Sequence, residues 1–250
     1  SCSDADYDEK YADPSTTATV GVPQVFTAVM YKGSSWMDLK YYRYYTQSTT
    51  SGTFSGIIGD SNNRGRFMGA TEGYFNTRWK NFYDMVTQYR LLEYTYDNLS
   101  EEEKPANLIF VYLARTLVEA QLHEMLSLFG DVPFNGTGTL WIDGQYDAAK
   151  EKCVYDDDVV LYKQILADLK EVGDYLATGV DATSLSSLAR QDYSVAAGDP
   201  VKWQKYVNSL RLRIALHLAT TGDCTSVAHE AIAEILNLSL IHISEPTRPY

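Results

Sequence analysis

Cysteine and basic residues are scarce in this chain of 250 residues. Only three cysteines occur, and none forms a CxxC pair, which argues against a zinc thiolate site and a redox dithiol. Lysine and arginine number 21 against 33 acidic residues, so the formal net charge is −12. Since nucleic-acid affinity depends on cationic side chains, we expect no nucleic-acid partner.

Long uncharged hydrophobic runs are also missing. The most apolar segment, LIFVYLARTLVEAQLHEMLSLF, carries Arg115, Glu119, His123 and Glu124. A membrane-spanning helix needs about 20 predominantly apolar residues. The sequence therefore predicts no membrane-spanning helix, and it shows no recognisable signal peptide.

Complete catalytic and metal-binding motifs are absent as well. HEMLS begins like the zinc motif HExxH, but Ser127 occupies the position of the second histidine. DSNNRG, which starts at Asp60, resembles a calcium loop, but Arg64 and Thr71 replace two oxygen ligands. No GxSxG or complete dinucleotide motif occurs. We predict no catalytic residue, no metal site and no cofactor, although a carboxylate pair for glycoside hydrolysis stays open.

Helical periodicity dominates from residue 79 onwards, and an earlier amphipathic helix is predicted from Val20 to about Tyr31. Further helices are expected near Asp156, with YDDD at its N-terminus, and after Asp199–Pro200, an N-cap followed by a proline in the first turn. These patterns predict an all-α fold of antiparallel helical hairpins in layers. The apolar positions fall into four sets: Trp79, Phe82, Tyr83, Val86 and Tyr89; Tyr162, Ile165, Leu166, Leu169 and Leu176; Trp203, Tyr206, Val207, Leu210 and Ile214; and Val227, Ala231, Ile235 and Leu236. Pro105 marks a further helix start.

Two segments interrupt these helices. Residues 32–73 are rich in Ser, Thr, Gly and Asn, which predicts a long loop that is either functional or disordered. LFGDVPF ends an apolar helix, because Gly130 can adopt a left-handed conformation and Pro133 cannot continue the helix.

Several segments, in this order, resemble the SusD/RagB family of surface glycan-binding lipoproteins. They are SCSDADYDEKYADP, RWKNFYDMVTQYRLLE, LARTLVEAQLHEMLSLFGDVPF, YDDDVVLYKQILADLKEVGDYL and GDPVKWQKYVNSLRLRIALHLA. The resemblance covers about the first half of a typical member. It implies a tetratricopeptide-like scaffold with long loops, and structural roles for Asp131 and Phe134 in the turn after the apolar helix.

The resemblance also implies a function. Such a protein would bind oligosaccharides at the cell surface and deliver them to a SusC-like TonB-dependent outer-membrane transporter without catalysis. Ser1-Cys2 fits the lipidation site of the family, so Cys2 would anchor the protein in the outer membrane and residues 1–15 would form a tether. Two alternatives remain open: a helical scaffold that captures peptides or proteins, and a glycoside hydrolase with its catalytic residues in a missing half.

Aromatic residues are the candidates for sugar contacts, because flat rings pack against sugar C–H groups. The sequence contains 20 tyrosines, and we predict a ligand site at four aromatics in or beside residues 32–73: Trp36, Tyr41, Tyr45 and Tyr74. Trp79, Trp203 and Tyr206 are expected in the core instead.

The last segment loses the helical pattern. LSLIHISEPTR matches the translation of a transposase adapter used in preparing sequencing libraries. We therefore expect residues 16–237 to form a partial SusD-like domain that is truncated near Asn237, and residues 238–250 to be an artefact. On that expectation an apolar helical face is left exposed.

Overall fold

The computed structural model describes residues 20–37, 51–59 and 72–238, with backbone alone for residues 35–37 and 72–75. Ten α-helices occur in these ranges, and the predicted all-α fold is confirmed. In chain order they are α1 (Val22–Met37), α2 (Gly52–Ser55), α3 (Glu72–Asp97), α4 (Lys104–Phe129), α5 (Leu140–Asp143), α6 (Tyr146–Lys152), α7 (Asp158–Thr178), α8 (Leu185–Gln191), α9 (Pro200–Leu218) and α10 (Thr225–Asn237).

The long helices form two groups that share one hydrophobic core. In the first group α1, α3 and α4 pack against one another, and in the second α9 packs on both α7 and α10. α4 joins the groups through its contacts with α7 and α9. α8 packs against α1, and the Thr27 hydroxyl of α1 donates to the Gln191 side chain of α8 at 2.7 Å.

The helix starts follow the capping residues of the sequence. The carboxylate of Asp157 accepts from Val160 N at the start of α7, and that of Asp199 accepts from Val201 N at the start of α9. Ser100 and Glu103 bond to each other in the turn before α4, which itself begins with a proline in its first turn. Short polar side chains that accept these amide protons satisfy donors that have no partner within the helix.

Three predictions differ from the structure: the end of α1, the extent of the loop at residues 32–73 and the burial of Leu236. α1 continues to Met37, and within it Ser34 donates its hydroxyl to the Tyr31 carbonyl. α2 and the start of α3 also fall inside the predicted loop. α7 begins at Asp158, close to the predicted start near Asp156, which itself lies in a short strand. Leu236, predicted on the buried face of α10, is exposed.

The segment that follows α4 forms a two-residue strand, β1 (Val132–Pro133), antiparallel to β2 (Tyr155–Asp156). Gly130 has φ 71° and ψ −132°, a positive-φ conformation that differs from the predicted left-handed helical one but equally favours glycine. Asp131 accepts from Asp158 N at 3.0 Å, and Phe134 is buried in the core. Both residues thus make the structural contacts that were expected of them.

The three aromatic residues that were expected in the core do pack there. Trp203 is 3% exposed, while Trp79 and Tyr206 are partly buried and pack against the same core. In the described part of the chain, no helix combines the length and the hydrophobicity needed to cross a bilayer. Cys153 is exposed and Cys224 is buried, and both are free thiols.

Candidate functional site

The side chains of the predicted ligand site lie outside the described residues. Trp36 lies in α1 and Tyr74 lies in α3, but only the backbone of each is described. Tyr41, Tyr45 and the predicted lipidation site Cys2 are outside the described residues. The calcium-like DSNNRG segment is outside them too. Two other features, an aromatic pair and a polar cleft, lie within the described residues.

A rigid loop follows β1 and packs on the flank of α3. Arg90 holds it, because its Nη2 donates to the Phe134 carbonyl at 2.8 Å and its Nε donates to the Thr137 carbonyl at 3.1 Å. On the other side, the Asp156 carboxylate accepts from the backbone amides of Phe134 and Asn135 at 2.8 and 2.9 Å. These bonds fix the loop relative to both helix groups.

The same loop leads into α5 and exposes a pair of aromatic rings. Trp141 on α5 and Tyr94 on α3 meet edge to face, with ring centroids 5.7 Å apart. Their exposed fractions are 43% and 46%, so both retain faces that solvent can reach. Asp143 fixes α5 by accepting from Thr139 Oγ1 and from Lys152 Nζ, both at 2.7 Å. A supported, exposed aromatic pair is the kind of surface on which a sugar ring packs.

A polar cleft of about 350 Å³ opens between α3, α4, α7 and the loop. Its lining contains four carboxyl and two guanidinium groups in addition to neutral side chains. The lining residues are Tyr89, Arg90, Glu93, Arg115, Glu119, Phe134, Asn135, Gln164, Asp168 and Glu171.

Both arginines of this cleft already have partners. Arg90 pairs with Glu93 at 2.6 Å, in addition to its bonds to the loop. Arg115 Nη1 pairs with Glu171 Oε2 at 3.0 Å, and Tyr112 donates to the other oxygen of the same carboxylate at 2.8 Å. The two guanidinium groups therefore connect the elements that line the cleft: Arg90 binds the loop after β1, and Arg115 joins α4 to α7.

Glu119 is the least exposed ionisable group of the cleft, with an exposed fraction of 1%. Burial, a hydrogen bond with the Asp168 carboxyl and the charge of Asp168 raise the pKa of Glu119 well above its ordinary value. Two carboxylates offer each other no proton, so this contact requires Glu119 to be protonated.

His123 of HEMLS meets a histidine from another helix. Its Nε2 lies 2.9 Å from Nδ1 of His217 on α9. Burial, His217 and Arg213 lower the pKa of His123 to about 4. Within the described ranges, no group of three or more His, Cys, Asp or Glu residues has the geometry to hold a metal ion.

Sequence reasoning missed the residues of both features. A usable signal existed for Glu119, because an acidic residue inside the most apolar helical run calls for a specific partner. Trp141 lies in a Gly- and Thr-rich segment, FNGTGTLW, whose composition indicates a loop. Nothing in the sequence pairs it with Tyr94.

Residues 16–244 match the model of a SusD-like family described as starch-binding and associating with the outer membrane. The chain belongs to this SusD-like family. No curated protein sequence matches the chain.

The fold is similar to that of a chitin-binding SusD homolog from Flavobacterium johnsoniae, with a TM-score of 0.60 and 17% sequence identity. The match covers 86% of this chain and 42% of that protein, so the chain spans less than half the length of this relative. At this identity the similarity supports the fold alone.

Proposed function

We propose that the protein binds oligosaccharides at the cell surface and delivers them, without turnover, to a SusC-like TonB-dependent transporter. Membership of the SusD-like family carries this proposal, since the family is described as starch-binding and associated with the outer membrane. The structural relative is a chitin-binding SusD homolog, which supports a glycan as the ligand class.

The exposed pair of Tyr94 and Trp141 supplies a surface that suits this function. Both residues sit on elements fixed by hydrogen bonds and packing, so little conformational entropy would be lost when a sugar packs against the rings. The four aromatics predicted from sequence remain candidates for the same ligand. They are Trp36, Tyr41, Tyr45 and Tyr74.

Anchoring is part of the proposal. Cys2 would carry lipid, and residues 1–15 would tether the binding domain to the outer membrane. Mass spectrometry of the protein isolated from membranes would detect the modified cysteine, whereas an unmodified Cys2 would contradict this part.

Binding experiments test the aromatic surface. A carbohydrate array with the full-length protein would first identify a ligand among starch- and chitin-derived oligosaccharides. For that ligand, we expect Trp141→Ala with Tyr94→Ala to weaken affinity about tenfold, which corresponds to about 1.4 kcal/mol of lost contact.

A matched control is available on α1. Tyr31 is 70% exposed and lies on a different helix, so Tyr31→Ala should leave affinity unchanged. Equal affinities of the double variant and the wild type would exclude this surface. Trp36→Ala with Tyr45→Ala, measured in parallel, would then show whether the site predicted from sequence binds the glycan instead.

A further inference from the structure

A histidine pair links α4 of the first helix group to α9 of the second. His123 Nε2 lies 2.9 Å from His217 Nδ1, and the two rings meet at an interplanar angle of 84°. Among the described residues, this is the one hydrogen bond between side chains of α4 and α9. By contrast, Arg211 bonds α9 to the Leu166 carbonyl of α7 at 3.2 Å and to Glu234 of α10 at 2.6 Å. The polar link between α9 and α4 therefore depends on the two histidines.

Only some protonation states keep this link. A neutral imidazole has one nitrogen that donates and one that accepts, so a hydrogen bond can form between two neutral rings or between a neutral ring and a protonated one. When both rings are protonated, every ring nitrogen carries a hydrogen and neither facing atom can accept. Two positive rings in contact also repel each other. The hydrogen bond is therefore lost when the pair takes up its second proton.

The surroundings of the pair also oppose a second positive charge. Arg213 of α9 faces His123 as a further cation, and Tyr162 of α7 meets the His123 ring at a centroid distance of 6.1 Å. Glu124, the next residue of α4, already pairs with Arg78 of α3 at 3.4 Å. The lowered pKa of His123, with burial as its largest cause, agrees with this arrangement.

We propose that His123 and His217 form an acid-sensitive latch, which releases α9 from α4 when both imidazoles are protonated. In the released state His123 contacts water and takes up its proton at the ordinary pKa of histidine, about 6.5. Below that pH, each pH unit favours the released state over the closed state about tenfold, until the pH reaches the lowered pKa of His123. α9 stays on α7 and α10, because the bonds of Arg211 involve no histidine.

Relaxation-dispersion NMR of the backbone amides tests this inference on the whole chain, because it detects a minor conformation that exchanges in microseconds to milliseconds. Spectra at pH 7 and pH 5.5 stay above the isoelectric point of about 4.7. In the wild type we expect exchange at residues of α4 and α9 beside the pair, with a released population that rises about eightfold between these pH values. No rise on acidification, or an equal rise in all helices, would overturn the inference.

His123→Gln provides the decisive variant. Glutamine can still bond to His217 but does not titrate, so the released population should stay the same at both pH values. His229→Gln, the same substitution at an exposed histidine of α10, should behave like the wild type. A rise in His123→Gln equal to that of the wild type would exclude His123 as the proton acceptor and overturn the latch.

Two further variants complete the test. His217→Gln removes the second charge and leaves His123 buried, so the rise should be smaller than in the wild type, and an equal rise would overturn the paired mechanism. If His123→Gln loses its far-UV circular dichroism signal, His123→Phe is measured in its place, since its ring can pack on Tyr162 and does not titrate. Its released population should also stay the same at both pH values, and a rise equal to that of the wild type would again overturn the latch.

Discussion

Replacing Glu119 with glutamine should change how the stability of the protein depends on pH. In the native state Glu119 holds a proton, because burial, the bond with Asp168 and the charge of Asp168 raise its pKa. In the unfolded chain a glutamate releases its proton above about pH 4.3. Above that pH the native state binds one proton more than the unfolded state, so this group lowers the free energy of unfolding as the pH rises.

The magnitude follows from proton linkage. One proton bound in the native state alone corresponds to about 1.4 kcal/mol of stability lost for each pH unit. The loss continues until the pH reaches the raised native pKa of Glu119. Glutamine does not titrate, so this loss is absent from Glu119→Gln. Between pH 5 and the native pKa of Glu119, the free energy of unfolding of the variant should therefore rise relative to that of the wild type by about 1.4 kcal/mol for each pH unit.

Urea denaturation followed by circular dichroism at pH 5, 6 and 7 measures this difference. Other titrating groups contribute equally to both proteins and cancel in the comparison. Glu102→Gln should give a profile parallel to the wild type, because this residue is exposed. Parallel profiles for Glu119→Gln and the wild type would refute the protonated state of the buried carboxyl.

Two further substitutions test contacts that hold the scaffold. Buried Asp192 accepts a hydrogen bond from the Trp203 indole at 2.7 Å. In chemical denaturation, Asp192→Ala should therefore lower the free energy of unfolding by about 3 kcal/mol, and a loss below about 1 kcal/mol would contradict a stabilising role for this hydrogen bond. A Cβ atom at Gly136 would lie 2.1 Å from the Lys152 carbonyl oxygen, so Gly136→Ala should lower the free energy of unfolding by about 2 kcal/mol. A Cβ atom at Gly59 would meet no atom of the described residues within 4 Å, so equal shifts in the melting temperatures of Gly136→Ala and Gly59→Ala would disprove this steric argument.

Much of the helical framework could be predicted because its determinants are local. Asp157 and Asp199 accept amide protons within the first turn of their own helices, so a few adjacent residues define each start. The apolar positions of α7 and α9 repeat at helical spacing and become buried as expected. The order of such segments was also enough to indicate the family, which the family model confirms over residues 16–244.

Tertiary structure decided the polar and aromatic features. Glu119 and Asp168 are 49 residues apart in sequence number, and their contact exists only because α4 packs on α7. Tyr94 meets Trp141 only because Arg90 and Asp156 hold the loop after β1 from opposite sides. Helix starts and buried faces depend on neighbours within one or two turns, which the sequence records directly. A shared proton or a ring pair depends on distances between helices, and these are determined by the packing of the whole core.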